Sequence, residues 1–427
     1  MVGCDEAGPF VNYKMKREVL PNGLRVFLVE DRSVSLINYT TMIKVGSLWE
    51  KEGKTGIAHL FEHMMFQGTA QNRGKGFTEA VESRGGSTNA YTKRDMTVYY
   101  SDIASEHLEL LVNLESDRLV NLELNEKVLA NEKKVVIEER RMRFDNDYYS
   151  HQIAALYEIM FAGHPYGRDV IGYEDDINGL TLKDCQDFYK KYYQPANTVL
   201  VISGDIDTDK TLDLVKKKYG SIPKVELEKT QFPDSKPVGV EIRKTITRPV
   251  ESDVLLVGYR IPSQEHDDLL PLFLLKMALF DINSSVAKEV LINEKKVALA
   301  VASELQGQWQ PSEFVIRMVM GGGTPAERGL FELDKIIDQT LTEPFTSNEL
   351  ARVKNWVELF LMSSAMSGRG VASLLSFGEF YDGDYRISLS QAADFKNVTA
   401  ADLMKVSRIY LRPENRGIVI MKAGVVQ

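Results

Sequence analysis

Two stretches of this chain are one stretch written twice, and that limits the folds open to it. Thr181-Leu-Lys-Asp-Cys-Gln-Asp-Phe-Tyr-Lys-Lys-Tyr-Tyr-Gln-Pro-Ala-Asn-Thr-Val-Leu-Val201 recurs as Thr399-Ala-Ala-Asp-Leu-Met-Lys-Val-Ser-Arg-Ile-Tyr-Leu-Arg-Pro-Glu-Asn-Arg-Gly-Ile-Val419. At an offset of 218, Thr181/Thr399, Asp184/Asp402, Tyr192/Tyr410, Pro195/Pro413, Asn197/Asn415 and Val201/Val419 coincide. Each copy reads as a helix, a Pro-containing turn and a strand. The simplest account is one fold made twice, and 427 residues are enough for two domains with sizeable cores. The expected boundaries are a tail over 1–16, a first domain over 17–222, a polar Pro-containing linker over 223–240 and a second domain over 241–427. Both halves mix strands with long helices, so the class is α+β: two homologous α/β-sandwich halves.

The first half is the more legible. Leu24-Arg-Val-Phe-Leu-Val29 and Ile37 to Val45 are short β-rich runs that read as paired strands. A helix is expected at Phe77–Arg84 and a strand at Tyr91–Ser101. Apolar residues at 108, 111, 112, 114 and 119 predict a helix over His107–Val120. Further helices are expected over 124–144, 150–162 and 181–193, and a strand from Thr198. In the second half, Gly321-Gly-Gly-Thr-Pro-Ala-Glu-Arg-Gly329 lacks the Lys-Ser/Thr ending of a phosphate-cradling loop. It reads as a turn between a strand at Glu313–Met320 and a helix.

The chemistry concentrates in His59-Leu-Phe-Glu-His63. Gly56 and Gly68 bracket a run free of Gly and Pro, which predicts a short helix. On it His59 and His63 are i and i+4, on one face. Two imidazoles so placed can hold one zinc ion, and Glu62 lies beside that face. A carboxylate there can take a proton from water that the metal has made more acidic. The neighbours Ile57, Ala58, Leu60, Phe61, Met64, Met65 and Phe66 are apolar, so three polar side chains among them need some compensation. They could instead be satisfied core polars or a surface patch. Two His leave a zinc site short of a protein ligand. Asn131-Glu-Lys-Lys-Val-Val-Ile-Glu-Glu-Arg-Arg141 places Glu132 and Glu139 two helical turns apart on one face. Glu138, Arg140 and Arg141 read as solvated surface.

His-x-x-Glu-His followed by Glu139 resembles the inverted-zincin peptidases: pitrilysin, insulin-degrading enzyme and the mitochondrial processing peptidase. The likeness extends to Pro21-Asn-Gly-Leu-Arg-Val26, to Gly85-Gly-Ser-Thr-Asn-Ala-Tyr-Thr-Lys-Arg-Asp-Met-Thr-Val-Tyr-Tyr100, to Glu115-Ser-Asp-Arg-Leu119 and to His164-Pro-Tyr-Gly167. It is strong over residues 20–205 and weaker after about 240. The resemblance implies a duplicated processing-peptidase-like domain. It implies Zn2+ held by His59, His63 and Glu139, with Glu62 as general base and Glu132 as a supporting carboxylate. It implies a metallo-endopeptidase acting on an extended peptide that adds to the strand near Ser87–Thr92. Asn89 and Ala90 are the candidates for substrate contact there, and Asn89 reads equally as a strand-entry turn residue. The alternative function is a non-catalytic or scaffold subunit, a class in which ligands are lost, whereas here ligands and base are all present.

One departure from the family pattern matters. Single-chain members place an Arg and, seven residues later, a Tyr in the second half. Leu291-Ile-Asn-Glu-Lys-Lys-Val-Ala-Leu-Ala-Val301 resembles that segment, with Ile292 and Leu299 at those positions. No Tyr or Arg lies from Pro262 to Gln310. The expectation is a heterodimer with a homologous chain that lacks the zinc motif and supplies the pair; a homodimer is the alternative.

A net charge of −9 argues against nucleic acid or an anionic membrane as the main partner. No apolar run reaches the length of a membrane span. Two Cys give no disulfide framework. Cys185 sits in a helical pattern and reads as a buried thiol. Val2-Gly-Cys4 resembles the end of a bacterial lipoprotein signal, which would place the chain in the periplasm on a lipid anchor; an ordinary disordered terminus is the other reading.

Overall fold

The repeated residues are those that build the repeated element. In a computed structural model describing residues 13–72, 76–228, 230–381 and 383–424, helix Leu182–Tyr192 runs through the turn Pro195–Asn197 into strand Thr198–Gly204. Its counterpart is helix Ala400–Tyr410, turn Pro413–Asn415 and strand Arg416–Ala423. Thr181 and Thr399 cap the two helices, each in a reciprocal box with the Asp three residues on. The Asn197 amide donates to the carbonyls of Lys44 and Tyr192 at 3.1 and 2.9 Å. Asn415 donates likewise to Arg260 and Tyr410, both at 2.8 Å. Each Asn thereby ties its turn to the neighbouring strand.

Two sheets result. The first contains β1 (Lys14–Val19), β2 (Arg25–Glu30), β3 (Leu36–Ile43), β4 (Ser87–Thr92), β5 (Thr97–Ala104) and β6 (Thr198–Gly204), in the order β1-β2-β6-β3-β5-β4. The second contains β7 (Ile242–Arg248), β8 (Val254–Ile261), β9 (Ala298–Leu305), β10 (Ser312–Met320) and β11 (Arg416–Ala423), in the order β7-β11-β8-β10-β9. Each has one parallel pair, β2–β6 and β7–β11, and the other pairs are antiparallel. Apart from β1 the topologies are the same. The Gly321–Gly323 stretch is the turn between β10 and helix Ala326–Thr342, as its composition suggests. The strand expected over Tyr91–Ser101 is instead two strands of a hairpin. Lys93 N–H closes the turn on Met96 C=O at 2.8 Å. Asp95, buried in that turn, accepts from Tyr381 Oη at 3.0 Å.

The chain divides into two compact units that do not follow the 222/241 boundary read from the repeat. The first takes Met1–Arg141, Asp169–Phe232 and Leu361–Ser390; the second takes Met142–Arg168, Pro233–Phe360 and Gln391–Gln427. Each unit thus borrows one helical segment from the other half, because each sheet face has to be covered. In the second unit helix Tyr148–Met160 lies on β7, β8 and β11. Gly258 and Gly417 make the room: a Cβ there would stand 2.5 Å from Met160 Sδ and 2.8 Å from Met160 Cγ. Gln152, fully buried, donates to Val254 C=O at 2.8 Å and Val419 C=O at 2.7 Å. In the first unit helix Gly368–Tyr381 covers β3 and β6, with Ser203 Oγ donating to Gly368 C=O at 3.0 Å. Arg17 on β1 pairs with Glu379 at 2.6 Å. Among the described residues no helix is long and apolar enough to cross a membrane. Cys4 lies outside the described residues.

Candidate metal centre

The sequence places His59, Glu62 and His63 on a helix, and the structure gives that helix as Ile57–Met64. Its start is built by side chains from elsewhere. Gly56 holds the N-cap in the left-handed region at φ 84, with no side chain to satisfy the first N–H groups. The buried Glu50 carboxylate does so, accepting from Gly56 N–H and Ala58 N–H, both at 3.0 Å. Thr55 Oγ1 donates to Asp176 at 2.6 Å. A Cβ on Gly56 would lie 2.6 Å from the Ile171 carbonyl oxygen, so the loop before Tyr173 presses on the helix start. Leu60, Phe61 and Met64 are buried, with Phe61 packed among Phe188, Tyr189 and Tyr193.

Helix Glu126–Asn146 brings the third side chain. Leu129, Val136 and Ile137 bury one face. Glu138 is exposed, as its reading as solvated surface implies. Arg141 is exposed as well, and Arg140 departs from that reading. Arg140 Nε donates to Gly172 C=O at 2.8 Å, and Arg141 pairs with Glu174 at 2.6 Å. Gly172 packs directly on Gly56, so Arg140 references the Glu139 helix to the start of the His59 helix. Only the fold brings residues 56, 140 and 172 together, which is why a helical-face argument misses this.

His59, His63 and Glu139 converge: one ligand atom from each lies within 4.8 Å of the others. Glu139 stands 3.7 Å from His59 Nε2 through one oxygen and 3.2 Å from His63 Nε2 through the other. Donors held ~2.1 Å from a tetrahedral ion stand about 3.4 Å apart, and two imidazoles with a carboxylate are a zinc-type donor set. The residues present fit that ion. Glu132, buried, faces the opposite nitrogen, 3.7 Å from His63 Nδ1. Burial works to lower the His63 pKa, but the Glu132 and Glu139 carboxylates outweigh it and bring it up to about 9. Burial raises the Glu62 carboxyl above its ordinary value, and hydrogen bonding from Thr92 works against the rise.

The edge strand lies alongside. Among the described residues β4 pairs only with β5, through Ser87↔Asp102 to Thr92↔Thr97, and no strand pairs with its other side. Asn89 is exposed, and its Oδ1 accepts the Ala90 N–H at 2.8 Å. Thr92, the last residue of β4, donates its hydroxyl to Glu62 Oε2 at 2.6 Å. In the second unit, Ile292 falls in the π-helical turn Lys288–Glu294 and Leu299 is an exposed residue of the edge strand β9. His164 caps the turn Pro165–Gly167 by accepting from Tyr166 N–H at 3.1 Å. Cys185 is buried, which pushes its thiol up to about 12. Glu50 and Thr92 were not legible as site residues. The polar gap left by a glycine N-cap was a signal for the first, and the sequence carries none for the second.

The family model for insulinase (peptidase family M16) matches residues 25–174, and that for the peptidase M16 inactive domain matches residues 179–356. The chain is similar to zinc protease PqqE of Helicobacter pylori, 28% identical over 96% of this chain and 94% of that one. It is similar to the mitochondrial-processing peptidase subunit beta of Saccharomyces cerevisiae, 31% identical over 48% of this chain and 45% of that one. The crystal structure of a protease from Helicobacter pylori superposes with a TM-score of 0.91 at 27% identity, covering 96% of this chain and all of that one. With both halves matched in order and the fold duplicated, the chain belongs to the M16, insulinase-type peptidase family and carries its N-terminal and its inactive-type C-terminal domain.

Proposed function

We propose that this chain is a zinc-dependent metallo-endopeptidase subunit that cleaves extended peptides. The convergence of His59, His63 and Glu139 carries the reading. Bound there, zinc would supply Lewis acidity toward the scissile carbonyl and make a water proton easier to lose. The chain's own residues do the rest. Glu62 accepts the proton of the attacking water and returns it to the leaving amine as the C–N bond breaks. Its burial suits it to that exchange, since a carboxylate whose pKa is raised is a stronger base toward the water proton. Glu132 fixes the His63 ring through Nδ1, leaving Nε2 for the metal. The open side of β4 receives the peptide as an added strand, with Asn89 and Ala90 making the backbone contacts. A scaffold role is disfavoured because ligands and base are all present.

Neither Ile292 nor Leu299 can donate a hydrogen bond to a developing oxyanion, a contribution often worth about 3 kcal/mol. We infer that a homologous partner chain without the zinc motif supplies an Arg and a Tyr for it. The test of the site is metal content and cleavage together. The purified chain should hold about one zinc and His63→Ala should lose it. Glu62→Gln should keep the zinc and lose turnover by about 10²-fold or more. A zinc-free wild-type chain, or metal loss in Glu62→Gln, is the result that ends this assignment.

A further inference from the structure

The Glu62 carboxylate is held from the strand, not from its own helix. Among the described residues its side-chain hydrogen bond is to the Thr92 hydroxyl, at 2.6 Å. Thr92 is itself fixed from behind. It pairs with Thr97, whose hydroxyl donates to Val45 C=O at 2.9 Å. The turn that follows is clamped: Leu48 N–H reaches Arg94 C=O at 2.8 Å, and a Cβ on Gly46 would stand 2.2 Å from the Lys93 carbonyl oxygen. Arg94, Asp95 and Met96 are buried. A donor mounted this way is preorganised rather than recruited.

The spacing along β4 adds a second point. Strand backbone groups alternate in direction, so N–H groups two residues apart face the same side. Ala90 N–H is met by the exposed Asn89 side chain, a partner that an incoming strand can replace. Thr92, next in the same row and last in the strand, carries the hydroxyl that holds Glu62. A peptide adding to this edge can therefore pair at Ala90, two residues before the position that holds Glu62.

Resting on the reading of Glu62 as general base, we propose that Thr92 is a positioning residue: its hydroxyl pins the Glu62 carboxylate at the end of the edge strand, where the proton transfer takes place. A carboxylate offers about four acceptor positions, so Thr92 fixes its orientation and leaves room for the proton. The hydroxyl serves kcat, and the open ladder at Ala90 serves binding.

The experiment compares Thr92→Val, isosteric and strand-favouring, with Thr92→Ser, which keeps the hydroxyl. In the metal-free chain, isotope-edited infrared spectra of the Glu62 carboxylate, taken as differences against Glu62→Gln, should shift in Thr92→Val and stay in place in Thr92→Ser. In the zinc-loaded protein, with its partner chain where cleavage requires one, Thr92→Val should keep its zinc and its KM within about twofold. Its kcat should fall on the order of tenfold to a hundredfold, the scale for a misplaced reacting group, and Thr92→Ser should restore it. An unshifted carboxylate band, a wild-type kcat in Thr92→Val, an impaired Thr92→Ser, or a rise in KM with kcat unchanged would each overturn the proposal. Glu62→Gln run alongside separates the two readings. Wild-type turnover in that variant removes the base itself, whereas an inactive Glu62→Gln beside a fully active Thr92→Val removes only the role of Thr92.

Discussion

Two carboxylates on one helix face are assigned different work here because they meet different atoms of His63. Glu139 meets Nε2 at 3.2 Å and also reaches His59, whereas Glu132 meets Nδ1 and stays buried. Removing charge from a ligand weakens the metal directly. Removing it from a residue that only orients a ligand costs about 10- to 100-fold in affinity or activity. Glu139→Gln should therefore lose zinc on dialysis, while Glu132→Gln retains it and cleaves poorly. Zinc retained by Glu139→Gln and lost by Glu132→Gln would exchange the two roles. Spacing alone put both residues on one helix face, where both meet His63, and the family resemblance proposes which is ligand and which is support. The partners that set the helix and the base were beyond that reading. Glu50 acts on N–H groups six and eight residues away across a glycine turn, and Thr92 acts on Glu62 from another element. No local pattern encodes such a pairing.

At the scale of elements, the helix–turn–strand repeat was readable because its coincident residues act locally. Thr and Asp make the capping boxes, and Pro starts the turn. Asn closes that turn on the carbonyl five residues back. The hairpin inside Tyr91–Ser101 was not readable, because Asp95 is accommodated by a tyrosine from the far end of the chain. The two caps should be comparable: Thr181→Ala and Thr399→Ala should each cost ~1 kcal/mol in denaturant unfolding. The first carries a pH signature. Burial would raise the Asp184 carboxyl, but the Lys54 ammonium at 2.8 Å and the Thr181 hydroxyl and N–H hold it down to about 2, against 3.8 ordinarily. A depressed native pKa means stability that is present above about 4 and lost as pH falls toward about 2. The gap in unfolding midpoint between wild type and Asp184→Asn should accordingly be full near neutrality and narrow across that window. A gap independent of pH would show that the Asp184 charge contributes nothing.

For the whole molecule, the borrowed segments decide what can be taken apart. A fragment ending near residue 222 lacks helix Gly368–Tyr381, which covers β3 and β6, and a fragment starting near 241 lacks helix Tyr148–Met160, which covers β8 and β11. Each fragment expressed alone should lose cooperative unfolding, and co-expression should recover it; a cooperative transition in an isolated half would contradict the exchange. The second prediction at this scale concerns the inferred partner. Zinc-loaded chain alone should cleave peptides weakly and gain activity when a homologous chain bearing the Arg–Tyr pair is added. Full activity alone, unchanged by that addition, would end the two-chain reading. The borrowed helices also impose a timetable on the ribosome. Every strand of the first sheet has been made once Gly204 emerges, yet the helix that covers β3 and β6 is complete only at Tyr381. At roughly 5–20 residues per second, the nascent chain carries a finished sheet with one apolar face uncovered for on the order of ten seconds. Through that interval the newborn protein should be open to chaperone binding, and slowing translation between residues 204 and 381 should raise its aggregation more than slowing it anywhere earlier.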